Sequence, residues 1–259
     1  MVAVSPQDNQ SYEYTDASST TNAVGHRPAT WSVVGSDVQP VDVVPRRALS
    51  LRLQFGVKRV VDIVGAVALL ILFAPLLILA AIAIRLDSPG PVCFNRPRSG
   101  KHGAPFTMYK LRTMYTDAEA RLAELQHLNA GGAYMIKIVD DPRITRAGQF
   151  LRASSIDELP QLLNVLMGQM SLIGPRPQAP HEVALYTDEQ RRRLVVRPGI
   201  TGLWQVRDRH NPSFERWMLW DFTYIDNWSL WLDLTIALRT LAMIVVDIGR
   251  IALRPLRRR

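Results

Sequence analysis

The chain has a single cysteine, Cys93, in 259 residues. That excludes an intramolecular disulfide and a multi-cysteine zinc cluster, and it fits reducing surroundings better than an oxidising exterior. The common frameworks for nucleotides or catalytic zinc are also missing: there is no Walker A loop, no GxGxxG, no HExxH and no DxD. Nor is there an internal repeat. The first 45 residues lack the basic and apolar regions of a signal peptide. They are rich in Ser, Thr, Asn, Val and Pro without periodicity, which predicts a disordered polar tail over residues 1–50. What is present is 47% hydrophobic and 21% charged, enough for the core of one or two domains. The net charge of +8 is unevenly placed, with −4 in residues 1–45 and +12 in the remainder. The body therefore suits anionic partners: acidic lipid, a phosphorylated substrate or nucleic acid.

From Ile63 to Ile84 run 22 residues without a charge. At about 1.5 Å per residue this could cover a hydrocarbon core of about 30 Å. Pro75 lies near its middle, where the ring removes a backbone donor and crowds the carbonyl of Ile71. Arg46, Arg47, Arg52, Lys58 and Arg59 precede the run, and Arg85, Arg96, Arg98 and Lys101 follow it, so both ends carry the cytoplasmic charge signature. The expectation is a re-entrant helix-break-helix over 51–90 that enters one leaflet and returns. Near the other end, Trp228 to Leu253 is apolar but interrupted by Asp233, Arg239, Asp247 and Arg250, too charged to span. With its tryptophans it reads as an amphipathic interfacial region over 228–259, ending in a basic tail.

Between these segments lies a predicted cytoplasmic domain, residues 91–227. Residues 92–116 alternate loosely, with turn signals at Ser99-Gly100 and His102-Gly103, which predicts a hairpin delivering Lys110 and Arg112 on one strand face. Thr116 to Leu128 has helical spacing, with Gly131-Gly132 as its stop. Residues 140–148 read as a turn. Leu159, Leu162, Leu163 and Leu166 repeat at helical intervals and Gly168 ends that helix. Pro175-Arg176-Pro177 is a stiff extended segment. His181 to Val195 reads as one helix, and Arg197 to Gly202 as a tight turn.

The residues with chemical potential are few. Asp157 and Glu158 are adjacent carboxylates, and Ser155-Ile156-Asp157-Glu158 matches a capping box, so helix capping alone could explain them. The functional alternative is that Asp157 attacks phosphorus, Glu158 holds Mg²⁺ against phosphate oxygens, and arginines neutralise the transferring group. Lys110, Arg112, Arg152, Arg176 and Arg197 each sit on or beside a turn that could aim them, although any one alone could be a solvated surface charge.

KRVVDIV before the apolar segment, DSPGPVCFNRPRSGKHGAPFTMYKLRTM, DDPRITRAGQFLRASSIDELPQLLNVLMGQMSLIGPRP and RPGITGLWQV together resemble the bacterial sugar transferase family. These are monotopic phosphoglycosyl transferases that start exopolysaccharide, capsule and O-antigen assembly. The resemblance spans about residues 56–248. It implies an α/β, mainly α, membrane-associated catalytic domain at the cytoplasmic face of the bacterial inner membrane. It also implies a ping-pong reaction: Asp157 takes a sugar phosphate from a UDP-sugar, releases UMP, and passes it to a polyprenyl phosphate, usually undecaprenyl phosphate. Glu158 matches the Mg²⁺ ligand, Arg152 and Arg176 match residues that contact phosphate or nucleotide, Lys110 and Arg112 lie in the KxRTM stretch, and Pro75 matches the helix-breaking proline. Two departures stand out: Ala74 where serine commonly precedes the break, and Ser99 where valine often precedes glycine. Membrane lipid is an expected partner and nucleic acid is not; the transferred sugar and the oligomeric state stay open. Two rivals remain, a membrane-anchored adaptor that binds anionic lipid or nucleic acid and ignores loss of Asp157, and a glycosyltransferase that releases UDP.

Overall fold

A computed structural model describes residues 51–128, 138, 140–209, 211 and 213–252. The expected tail over 1–50, the Gly131-Gly132 helix stop and the basic tail beyond Ala252 lie outside the described residues. The described fold is mostly helical, with two small two-stranded sheets.

Helix α1, Leu51–Asp87, is 37 residues long, about 55 Å at 1.5 Å per residue. It is the one helix among the described residues long and apolar enough to cross a membrane by length and composition. The expected interruption at Pro75 is absent, and the backbone stays helical through it. A single proline removes one N–H and displaces one carbonyl while the bonds on either side still form, which accounts for a continuous helix where a break was expected.

One face of α1 is fastened to the rest of the domain along its whole length. Near its start, the Arg59 guanidinium donates to the carbonyls of Val165 and Leu166, at 2.7 and 3.1 Å. These are terminal carbonyls of α4, Gln161–Leu166, so a cation satisfies orphan acceptors at a helix C-terminus. Asp62, 4% exposed, accepts from the Ser171 hydroxyl and the Leu172 N–H, both at 3.0 Å. Ala66, Leu69 and Leu70 pack into one core cluster and Leu76, Leu77, Ala80 and Ile84 into a second. At the far end the Asp87 carboxylate accepts from the Ala147 N–H at 2.9 Å. The opposite face, with Val60, Val64, Ile71, Leu72, Ile78 and Leu79, is exposed.

Strands β1, Arg96–Ser99, and β2, Pro105–Met108, form the expected antiparallel hairpin around a short 3₁₀ turn at Lys101–Gly103. The helix expected from Thr116 shrinks to α2, Leu122–Leu125, after a series of turns. Helix α3, Arg146–Ala153, follows; the Thr145 side chain caps it by accepting from the Gly148 N–H. Gly148 lies so close to the neighbouring backbone that an added Cβ would stand 2.0 Å from the Thr113 carbonyl oxygen.

The segment 197–202 is not the tight turn that was expected. Gly199–Thr201 forms β4, paired in parallel with β3, Ser171–Ile173. A Cβ at Gly199 would lie 2.1 Å from the Gly174 nitrogen, so the absence of side chains lets the two backbones meet. The single helix expected over 181–195 is divided into α5, Pro180–Ala184, and α6, Asp188–Arg191. Thr187 starts the second with a capping box of its own: its hydroxyl accepts from the Gln190 N–H while the Gln190 side chain accepts from the Thr187 N–H.

The C-terminal part comprises α7, Leu203–Arg207, α8, Phe214–Asp226, and α9, Leu230–Ala252. On α9 the side chains of Trp231, Leu234, Leu238, Leu241, Val245 and Ile248 are exposed at intervals of three and four, one stripe of an amphipathic helix. The acids of α9 lie off that stripe. Asp233 is buried and accepts from Lys58 Nζ at 2.6 Å, from Tyr224 Oη at 2.8 Å and from Trp228 Nε1 at 3.2 Å. Phe55 of α1 stacks on Trp228 at 4.4 Å. Polar groups thus join the two apolar helices to the domain and to each other, while hydrocarbon faces outward.

Because both ends of α1 are held by one domain, a residue near its start and the exposed native Cys93 just after it should lie on one side of a bilayer. Gly56→Cys in a Cys93→Ser background, and Cys93 alone, should both react with an impermeant maleimide from the same face of oriented membranes. Labelling from opposite faces would mean that α1 crosses.

Candidate active site

Asp157 and Glu158 do not cap a helix. Ser155 adopts φ 58 and ψ 16, a left-handed conformation, and its side chain makes no capping bond. The two acids sit in a 3₁₀ turn, Ile156–Glu158, and α4 begins only at Gln161. The capping explanation therefore fails on backbone geometry: a capping residue needs extended φ and ψ to turn its oxygen toward the following N–H groups. A non-glycine residue at positive φ is also strained, and such strain gathers at functional sites.

The acids meet cations instead. Asp157 is 2% exposed. Lys110 Nζ lies 3.0 Å from Asp157 Oδ2 and 3.1 Å from Glu158 Oε1. Both are close ion pairs, so one ammonium group holds the two acids together, and Oδ2 is buried with Lys110 as its cation. Arg176, from the Pro-Arg-Pro segment, donates to Glu158 Oε1 at 2.7 Å and reaches Oε2 only at 3.4 Å. Arg152, on α3, donates from Nε to the Thr113 hydroxyl at 2.8 Å and lies within the field of both acids.

Burial pushes the Asp157 carboxyl up from the usual carboxylate range, helped by Glu158 and opposed by Lys110 and Arg152. Burial acts in the same direction on Glu158, but Arg176 and Lys110 outweigh it and hold that carboxyl well below the usual range. Arg176 is correspondingly raised, chiefly by Glu158. Two neighbouring acids thus differ in kind: one is a firmly ionised counter-ion and the other a more basic carboxylate kept from solvent.

Lys110 is held from both sides. The Tyr109 N–H donates to Asn164 Oδ1 at 3.0 Å, and the Leu111 N–H donates to the Asp157 carbonyl at 3.0 Å. Asn164 is fully buried on α4, and its Nδ2 donates to the Thr107 carbonyl and to Gln169 Oε1, each at 2.7 Å. Sequence reasoning overlooked Asn164; the available signal was one amide in a leucine-rich helical run. Arg193 was overlooked too. Its buried guanidinium donates to the Arg176 carbonyl at 2.9 Å and to Asp221 Oδ2 at 2.5 Å, so it braces the backbone that carries Arg176.

Arg112 and Arg197 point elsewhere. Arg112 is buried and donates to the carbonyls of Pro89 and Ser88, at 2.6 and 2.8 Å, tying down the chain that leaves α1. It does not share a face with Lys110, because the segment after β2 is not a regular strand and alternation fails there. Arg197 donates from Nε to the Gly168 carbonyl at 2.8 Å.

Among the described residues no group of three acidic, histidine or cysteine side chains gathers to enclose a metal. Mg²⁺ asks for less, since it is commonly held by one or two carboxylates with waters and substrate phosphates completing the shell. The weakly engaged Glu158 Oε2 is a carboxylate oxygen of that kind.

A buried carboxylate pair ringed by Lys110, Arg152 and Arg176 suits chemistry on phosphates. The family model described as bacterial sugar transferase matches residues 53–247. The chain belongs to the bacterial sugar transferase family. It is 46% identical over 212 residues to UDP-glucose:undecaprenyl-phosphate glucose-1-phosphate transferase of Caulobacter vibrioides, covering 78% of this chain and 73% of that one. It is 39% identical over 192 residues to undecaprenyl-phosphate galactose phosphotransferase of Salmonella typhimurium, covering 73% of this chain and 40% of that one. It is 38% identical over 197 residues to the exopolysaccharide production protein ExoY of Rhizobium meliloti, covering 74% and 87%. The chain thus spans most of some relatives and less than half of others.

The raised pKa of Asp157 has a stability consequence with a definite sign. The fold favours the protonated form, so the cost of the buried carboxylate is absent below the unfolded value of about 3.9 and is felt fully once pH exceeds the raised folded value. Asp157→Asn should therefore leave the melting temperature at pH 7.5 unchanged or higher, with the advantage over wild type shrinking as pH falls toward 4.5. A variant that melts lower at pH 7.5 would show that the carboxylate stabilises the fold.

Proposed function

We propose that the chain transfers a sugar 1-phosphate from a UDP-sugar to a polyprenyl phosphate such as undecaprenyl phosphate, at the cytoplasmic face of a bacterial inner membrane, as a first step in surface glycan or exopolysaccharide assembly. The observation that carries this reading is the buried Asp157 carboxylate paired with Lys110, with a second acid next to it that Lys110 and Arg176 compensate. The names of the relatives support the donor and acceptor classes.

Asp157 attacks the β-phosphorus of the donor. A carboxylate oxygen–phosphorus bond forms, the bond from that phosphorus to the bridging oxygen breaks, and UMP leaves with the bridging oxygen. A phosphate oxygen of the polyprenyl phosphate then attacks the same phosphorus. The Asp157 carboxylate is released, and polyprenyl diphosphate-sugar is the product. Burial makes Asp157 a better nucleophile than a solvated acid, and Lys110 keeps it ionised. Arg152 and Arg176 are available to neutralise phosphate oxygens, a need set by the meeting of two anionic substrates. Glu158 would hold Mg²⁺, which when bound neutralises charge on phosphate oxygens. The apolar face of α1 and the stripe on α9 support attachment to the membrane in which the acceptor dissolves.

The test is nucleotide release from a panel of UDP-sugars by the full chain in nanodiscs, with Mg²⁺ and undecaprenyl phosphate. UMP should appear with one sugar, and Asp157→Asn should lower its rate by about 10³-fold or more. UDP in place of UMP, or unchanged turnover in the variant, would overturn the reaction or the nucleophile. Glu158→Gln should lower the rate and weaken the dependence on Mg²⁺ together; loss of rate with the Mg²⁺ dependence intact would remove Glu158 as the ligand.

A further inference from the structure

Away from the carboxylate pair, a cleft of about 400 Å³ opens between α7 with the residues just after it and the last turns of α9. One wall is apolar, made by Ala242, Met243 and Val246. Val246 is half-exposed and continues outward into the hydrocarbon-facing stripe of α9. The other wall is polar and carries Gln205 and Arg207.

The charges here do not balance. Arg209 pairs with Asp247 at 2.6 Å, and Asp208 accepts from Arg216 at 2.5 Å, so each acid on the wall already has its cation. Arg207 on α7 and Arg239, one turn before Met243 on α9, are both exposed and meet no carboxylate among the described residues. Each lies in the field of the other, like charge beside like charge.

Two guanidinium groups with five donors each select a phosphate by forked hydrogen bonding. Among the described residues the cleft offers no aromatic platform on which a nucleotide base would stack. Its apolar wall runs into the membrane-facing stripe, which suits a phosphate that carries a hydrocarbon tail.

We propose that the cleft between α7 and α9 binds the headgroup of an anionic glycerophospholipid, with Arg207 and Arg239 on the phosphate and the acyl chain along Met243 and Val246. The site is separate from the Asp157 chemistry and holds whether or not that reading stands. It gives α9 a specific lipid contact in addition to its general apolar attraction to the bilayer.

The experiment uses the full chain in phosphatidylcholine nanodiscs, titrated with short-chain phosphatidylglycerol, in wild type, in Asp157→Asn and in the double variant Arg207→Gln/Arg239→Gln. Wild type and Asp157→Asn should bind saturably and alike, and the double variant at least ten-fold more weakly. Because both arginines are exposed, the double variant should melt with wild type, and Arg207→Lys/Arg239→Lys should recover part of the binding. Equal binding by wild type and the glutamine variant would overturn the site. Inorganic phosphate binding as tightly as the lipid, with the same arginine dependence, would make this a free-phosphate site and overturn the lipid assignment. A short prenyl phosphate that displaces phosphatidylglycerol completely and binds at least ten-fold tighter would assign the cleft to the acceptor and overturn the phospholipid.

Discussion

Two adjacent carboxylates in a protein interior must be compensated by charge, and much of the catalytic half of this chain is arranged around that need. The compensating groups come from separate stretches: Lys110 after β2, Arg176 from the extended segment after β3, and Arg152 from α3. Each is then fixed by further contacts. Asn164 and the Asp157 carbonyl bracket Lys110, Arg193 holds the backbone of Arg176, and Thr113 takes the Arg152 side chain. The ionic cluster is a fold constraint as well as a reaction site, because it can form only when these stretches converge.

The membrane-facing half follows a different rule. Lys58 and Asp62 on α1 and Asp233 on α9 turn inward and are held in internal bonds, with Lys58 to Asp233 joining the two helices at 2.6 Å. The faces left over are hydrocarbon. Asp62 and Asp87 hold α1 to the domain near both ends, so the helix cannot leave the domain without exposing carboxylates to lipid.

Much of this was legible in the residues. The hairpin, the long apolar helix, the amphipathic C-terminal helix and the gathering of Lys110, Arg152 and Arg176 at the acid pair all follow from composition, spacing and the family resemblance. The failures share a physical cause, since pattern reports spacing and not backbone sign or direction. Ser155-x-x-Glu158 has capping-box spacing, but a positive φ at Ser155 turns the hydroxyl away from that role. Lys110 and Arg112 are two apart, but the chain there is irregular and sends them to different partners. Gly199 looked like a turn residue, yet its lack of a side chain serves close strand pairing. Charges on α9 argued against spanning, and no count of them could show that Asp233 would find Lys58 some 175 positions away.

Gly148 bears on how such a chain can change over time. A side chain there would have to occupy the space of the Thr113 carbonyl, 2.0 Å from its first carbon. Thr113 also receives the Arg152 guanidinium, so the smallest change at 148 would disturb the residue that holds this side chain, one turn further along α3. Alanine, elsewhere the mildest replacement in a helix, is closed to this position. Position 148 is therefore fixed by the approach of two backbones and not by any side chain of its own.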